Sequence, residues 1–175
     1  MNFEPKTHHR HSIRLPGYDY SQPGAYYVTI VTQGREELFG GVVDGEVELN
    51  RFGEIVNHAW HDLPNHYPHI ELDAFCIMPN HVHGIIVLND DGVGAGLRPA
   101  PTPIPTRHPL SEIVRAFKSY SARRINELRG TQGIPIWQRN YYEHIIRDNE
   151  DYLAISNYIL NNPLNWETDN EKQER

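Results

Sequence analysis

The sequence predicts an α+β sandwich in which one antiparallel sheet carries helices packed mainly on one face. Three observations predict it. Strand-like and helix-like stretches alternate in the order strand, helix, strand, strand, helix, strand, helix. The two middle strands are separated by Pro79-Asn80, a turn that pairs them antiparallel. The main helical stretches each carry an apolar stripe, as a helix lying on a sheet requires. With 175 residues, 38% of them hydrophobic, the chain can build one domain with a real core.

The elements follow in order. Tyr26 to Gln33 is aromatic and β-branched between Pro23-Gly24 and Gly34, which predicts the first strand. In Val42 to Leu49, Asp44-Gly45 stands between short apolar pairs and predicts a peripheral hairpin. Phe52 to Leu63 places Ile55, Val56, Ala59, Trp60 and Leu63 at helical spacing, and Pro64 should close that helix. Ile70 to Met78 and Val82 to Leu88 are the paired apolar strands. Asn89 to Pro109 holds five prolines and three glycines, too broken for a regular element, and reads as a flexible loop.

Leu110 to Leu128 repeats Leu110, Ile113, Val114, Phe117, Ser121, Ile125 and Leu128 along one helix side. At roughly 100° per residue, Arg115, Lys118, Ser119 and Arg123 fall within about 140° of one another on the opposite arc. Ile134 to Ile146 has strand composition. Asp148 is the expected N-cap of a last helix, Asn149 to about Asn162, which Pro163 ends. The domain should therefore span 15–166, with an arm at 1–14, the Pro/Gly loop at 89–109 and a polar tail at 167–175.

No apolar run is long enough for a membrane span or a signal peptide, so a cytoplasmic protein is expected. The single Cys76 lies in an apolar stretch and reads as a buried hydrophobe. A net charge of −7 argues by itself against a polyanionic partner. Its distribution argues the other way. Arg107 to Arg147 carries eight basic residues against three acidic, whereas Glu36 to Asp73 carries nine acids against Arg51 alone. A basic region on an otherwise acidic protein suits nucleic acid bound on one face.

His81 and His83 are two apart on a strand, so both imidazoles leave the same sheet face and can chelate one ion. The alternative is a pair of hydrogen-bonded histidines in a hairpin. Their strand is otherwise apolar, so either a ligand or a hydrogen-bonding partner must satisfy them. A third histidine at position 85 would point to nucleotidyl transfer, but Ile85 stands there, and no zinc pattern is present. On the last helix, Tyr158 and Asn162 are four apart and share a face. A phenol ordinarily titrates near 10, so attack on a phosphodiester needs a metal or a neighbour to stabilise the phenolate. His81, His83 and Asn162 could hold that metal; alternatively, Tyr158 only packs its helix onto the sheet.

Three separated stretches then stand out: Met78-Pro79-Asn80-His81-Val82-His83-Gly84-Ile85-Ile86, Trp137-Gln138-Arg139-Asn140-Tyr141-Tyr142-Glu143-His144-Ile145-Ile146-Arg147, and Tyr158-Ile159-Leu160-Asn161-Asn162-Pro163. Together with Leu15 to Tyr20 and Gly24 to Thr29, they resemble the REP-associated tyrosine transposases, relatives of the single-tyrosine HUH insertion-sequence transposases, from about Leu15 to Trp166. The resemblance implies a ferredoxin-like fold, His81 and His83 as the HUH histidines, and Tyr158 as the nucleophile. Asn162 would stand in for the third metal ligand, where many insertion-sequence relatives carry the longer glutamine. Mg2+ or Mn2+ would be the cofactor. A 5′-phosphotyrosine intermediate would form with release of a 3′-hydroxyl, and the partners would be single-stranded DNA hairpins at repetitive palindromes.

The leading expectation is thus a transposase-like single-strand DNA endonuclease and strand transferase. Its rivals are a non-cleaving protein that binds palindromic repeats and a metal-dependent nuclease that uses water. Arg115, Lys118, Arg123, Arg139 and Arg147 are the expected DNA contacts. His144 either orients a metal ligand or phosphate or sits hydrogen-bonded at a strand end. Tyr141, Tyr142 and Tyr152 are competing phenols, expected to pack or stack on bases. Arg98 and Arg107 belong to the loop, read as an idle linker. Insertion-sequence relatives are often dimers that exchange the tyrosine helix, so monomer and homodimer both stay open.

Overall fold

The computed structural model describes residues 17–90 and 108–166. The arm, the tail and most of the Pro/Gly loop, with Arg98 and Arg107, lie outside the described residues. The elements run β1 (Gly24–Val31), β2 (Gly40–Val43), β3 (Glu46–Leu49), α1 (Arg51–His61), α2 (Leu63–His66), β4 (Ile70–Met78), β5 (His81–Leu88), α3 (Leu110–Arg129), β6 (Tyr142–Ile146) and α4 (Asn149–Asn161). Four strands form an antiparallel sheet in the order β4-β5-β1-β6, and β2-β3 form a separate hairpin. This is the expected α+β class with the ferredoxin-like strand order.

Period-2 alternation divides the sheet into two faces. Tyr26, Val28 and Ile30 of β1 and Val82 and Ile86 of β5 point to one face, where they meet Trp60 of α1 and Ile113, Val114, Phe117 and Ile125 of α3. Burying side chains of this size contributes about 1.5–3 kcal/mol each, so this face holds most of the stabilising core. Trp60 stacks flat on Phe75 with ring centroids 4.5 Å apart, directly over Gly84. Any Cβ at Gly84 would run into the Trp60 ring, which is why the residue after His83 is glycine. The opposite face is smaller: Tyr27 and Ile85 bury Ile159 of α4, with Cys76 and Ile155 at the edge. The helices are therefore split, α1 and α3 on one side and α4 alone on the other.

Several boundaries differ from the expectations for local reasons. Pro64 does not end the helix system. It occupies the first turn of α2, where its missing N–H costs nothing. Asp44 and Gly45 both take positive φ (51° and 78°), the tight turn their sequence implies. The stretch 134–141 is not a strand despite its composition. Ile136 and Trp137 turn into the α1/α3 core, and Trp137 Nε1 donates to Ser121 Oγ at 3.0 Å. Only an isolated bridge between Thr32 and Trp137 remains of the expected strand there. Leu128, read as part of the buried stripe, is exposed in the last turn of α3, while Asn126 beside it is buried and donates to the Ile134 carbonyl at 2.9 Å.

Candidate active site

His81 and His83 open β5 immediately after the Pro79-Asn80 turn. In register, His83 lies between Thr29 of β1 and Cys76 of β4, on the face that α4 covers. The two Nε2 atoms are 2.9 Å apart. Two neighbouring ligand nitrogens, each about 2.1 Å from one octahedral ion, stand about 3.0 Å apart, so the pair has the spacing a divalent metal needs. His81 Nδ1 bonds Asn80 Oδ1 at 2.6 Å. His83 Nδ1 contacts Tyr27 Oη at 2.8 Å and Thr29 Oγ1 at 3.0 Å. Burial, with the neighbouring His81 ring second, pushes the His83 pKa down to about 3, so this imidazole is neutral at ordinary pH. Neutral imidazole is the form that binds metal. Among the described residues no three His, Cys, Asp or Glu side chains gather around one point.

Helix α4 brings the tyrosine. Asp148 caps it by accepting from the Asp151 N–H at 2.8 Å, as expected from sequence. His144 of β6 holds the Asp151 carboxylate at 2.9 Å, and Tyr152 donates to Asp73 of β4 at 2.6 Å. These contacts lock the first turns of α4 across the sheet. Two turns on, Ile159 is fully buried, and Tyr158 beside it is 47% exposed. The Tyr158 ring meets His83 edge to face with centroids 5.3 Å apart. Asn162 caps the C-terminus of α4 one turn after Tyr158 and is buried. Trp166 then brings its ring within 6.0 Å of His81.

The structure thus gathers Tyr158, His81 and His83 within one chain, with Asn162 on the same helix as the tyrosine. His144 is occupied with Asp151. The basic residues are dispersed. Arg139 precedes β6 at the histidine end of the sheet. Arg147 follows β6 at the other end, beyond a strand that starts opposite Thr29 and finishes opposite Ala25, about 13 Å along at about 3.3 Å per residue. Arg115 and Arg123 are exposed on α3, across the sheet from the histidines. Lys118 turns inward, its Nζ donating to the carbonyls of Gln138 (2.6 Å) and Arg139 (3.0 Å). Sequence reasoning missed Tyr27, Thr29, Asn80 and Trp166. Tyr27 and Thr29 carried a signal, two polar-tipped residues at alternate positions of a strand, but their partner depends on which strand lies alongside.

No family model matches the chain. An uncharacterized Haemophilus influenzae protein is 42% identical over 171 residues, 93% of this chain and 92% of its own length. A second Haemophilus influenzae protein, named "Putative REP-associated tyrosine transposase", is 30% identical over 146 residues, 83% of this chain and 73% of its own length. The chain belongs to the REP-associated tyrosine transposase family. A solved REP-associated tyrosine transposase bound to a REP hairpin has the same fold, with a TM-score of 0.58 and 22% identity over 86% of this chain and 72% of the other. For a transposase of this family, the two histidines and the helix-borne tyrosine form the candidate active site. Among its described residues, no helix is long and apolar enough to cross a membrane.

Proposed function

We propose that this transposase-like protein is a metal-assisted single-strand DNA endonuclease and strand transferase that acts at palindromic repeat hairpins through a 5′-phosphotyrosine. The observation that carries the reading is the half-exposed Tyr158 phenol set edge-on against His83, beside two ring nitrogens at metal-ligand spacing. His81 Nε2, His83 Nε2 and the Asn162 amide oxygen are the proposed ligands for Mg2+ or Mn2+. An ion held there supplies positive charge for the phosphate and for the phenolate as it forms.

Tyr158, 47% exposed, gives its Oη proton to solvent water and attacks phosphorus. The P–O3′ bond breaks, the 3′-oxygen leaves as a hydroxyl after taking up a proton, and the 5′ side stays on the tyrosine as a phosphodiester. A 3′-hydroxyl from another strand reverses these steps and frees the phenol, so rejoining needs no ATP. Exposure of Tyr158 lets a single strand reach it, while burial of Ile159 fixes where the phenol stands. Trp166 and Tyr142 offer faces on which unpaired bases flanking the cut can stack. Arg139, at the same end of the sheet, is the proposed contact to backbone phosphate. A hairpin partner is supported by the related transposase of this fold that binds one.

The test is a labelled single-stranded hairpin with single-stranded flanks, incubated with the protein and Mn2+ and resolved on a denaturing gel. The expected result is cleavage with a covalent adduct, both lost in Tyr158→Phe and in His81→Ala. Binding without cleavage overturns the enzyme in favour of a repeat-binding protein. Cleavage that survives Tyr158→Phe makes water the nucleophile.

A further inference from the structure

Four side-chain hydrogen bonds run in one line through the histidine pair. They join Thr29 Oγ1 to Tyr27 Oη (2.9 Å), Tyr27 Oη to His83 Nδ1 (2.8 Å), His83 Nε2 to His81 Nε2 (2.9 Å) and His81 Nδ1 to Asn80 Oδ1 (2.6 Å). The last acceptor sets the direction of all of them. An amide oxygen only accepts, so neutral His81 carries its proton on Nδ1 and presents a lone pair at Nε2. His83 then donates from Nε2, and its Nδ1 accepts the phenol proton of Tyr27. In this arrangement, one of the two nitrogens at ligand spacing still carries hydrogen.

A neutral imidazole has one proton for two nitrogens. His83 Nε2 can therefore ligate only when that proton sits on Nδ1, and Nδ1 then needs an acceptor where it had a donor. His83 is 3% exposed, so water cannot supply one. A neighbour fixed as a donor would leave two hydrogens facing each other in the interior. We propose that Tyr27 and Thr29 are positioning residues that let His83 exchange tautomers and so present Nε2 to a metal, an inference that rests on the reading of His81 and His83 as ligands.

Both neighbours are hydroxyls, and each can donate or accept. In the exchanged state Nδ1–H donates to Tyr27 Oη. Tyr27 turns its own hydrogen to Thr29 Oγ1, and the partly exposed Thr29 turns its hydrogen outward. Thr29 Oγ1, 3.0 Å from Nδ1, offers a second acceptor directly. The ring has the same number of protons before and after, one having moved from Nε2 to Nδ1. The stacked Tyr27 and His83 rings, with centroids 5.8 Å apart at 21°, keep the ring plane unchanged through the exchange.

The experiment measures Mn2+ affinity by calorimetry in the wild type, Tyr27→Phe and Thr29→Val. It also follows the imidazole nitrogens of the wild type by nitrogen-15 NMR as Mg2+ is added. Tyr27→Phe keeps the buried ring and removes only the hydroxyl, and it is expected to weaken Mn2+ binding about 10- to 100-fold with the thermal midpoint near that of the wild type. Thr29→Val, at the partly exposed edge, is expected to weaken it less. His83 is expected to carry its proton on Nε2 without the ion and on Nδ1 with it. Equal Mn2+ affinity in Tyr27→Phe and the wild type overturns the positioning role. A proton already on His83 Nδ1 before Mg2+ is added overturns the exchange. A wild type that binds no Mn2+ overturns the metal reading itself. If Tyr27→Phe does not fold, the Thr29→Val affinity and the wild-type spectrum still decide the inference.

Discussion

The Nε2 atoms of His81 and His83 face each other at 2.9 Å, yet the two rings have different surroundings. His83 is 3% exposed and shares Nδ1 with Tyr27 and Thr29, whereas His81 is only partly buried at the mouth of the strand pair. Removing His83 opens a cavity and leaves the buried Tyr27 phenol with Thr29 as its remaining partner.

His83→Ala should therefore cost about 2–4 kcal/mol of stability, and His81→Ala less than about 1 kcal/mol. Both should lose Mn2+ binding. Urea unfolding beside calorimetry separates the two effects. Equal stability losses would mean that the register and burial of this pair do not govern its energetics.

The placement of α4 on the sheet of its own chain is open to a chemical probe. Cys76 lies under that helix with Ile155 and Ile159, and burial pushes its thiol up from 9.0 to about 11. Two units leave about 100-fold less thiolate at about pH 8. Alkylation by iodoacetamide should be slower by roughly that factor than in the urea-unfolded chain. Fast labelling of the native protein would mean that α4, with Tyr158, spends its time away from this sheet.

The clasp between β6 and α4 gives a pH dependence. Its hydrogen bond from His144, with the Arg147 backbone N–H assisting, holds the Asp151 carboxyl below its ordinary 3.8. A carboxylate depressed in the folded state stabilises above its unfolded value and loses that contribution as pH falls through the folded one. Asp151→Asn should thus lower the thermal midpoint at about pH 7, and the gap from wild type should close as the pH drops below about 4. A gap unchanged at the acid end would show that the carboxylate charge contributes nothing to docking.

What was legible in the sequence followed its periodicities. The aromatic and β-branched run of β1, the apolar runs of β4 and β5, the Pro79-Asn80 turn and the stripe of α3 reproduce the sheet and its main core, and period 2 put His81 and His83 on one face. The strand expected over 134–141 failed because its β-like composition serves another purpose: Ile136 and Trp137 are large apolar residues bound for the core between helices, and tertiary packing outweighs strand propensity there. Tyr27, Thr29 and Asn80 were invisible as site residues. Their roles depend on β1 lying beside β5 in one register and on hydroxyl directions, neither of which a single strand encodes. The position of α4 was hidden too, because Leu153, Tyr158 and Leu160 are exposed and blur its apolar face.

Lys118 and Arg139 test the division between structural charge and the proposed DNA contacts. Sequence grouped both on one basic region, but the Lys118 ammonium donates to the carbonyls of Gln138 and Arg139, tying α3 to the segment that leads into β6. Burial lowers its pKa, the sign of a cation drawn out of water. Arg139 is exposed at the histidine end. Lys118→Met should cost about 1–3 kcal/mol of stability through the lost charged hydrogen bonds and leave the salt dependence of hairpin affinity as it was. Arg139→Ala should leave the thermal midpoint in place and reduce the slope of log affinity against log salt by about 0.7, the effect of one phosphate contact to a single strand. Titrations of the hairpin at several salt concentrations read both slopes. A slope that falls in Lys118→Met and not in Arg139→Ala would place the phosphate path over α3, on the face of the sheet away from Tyr158.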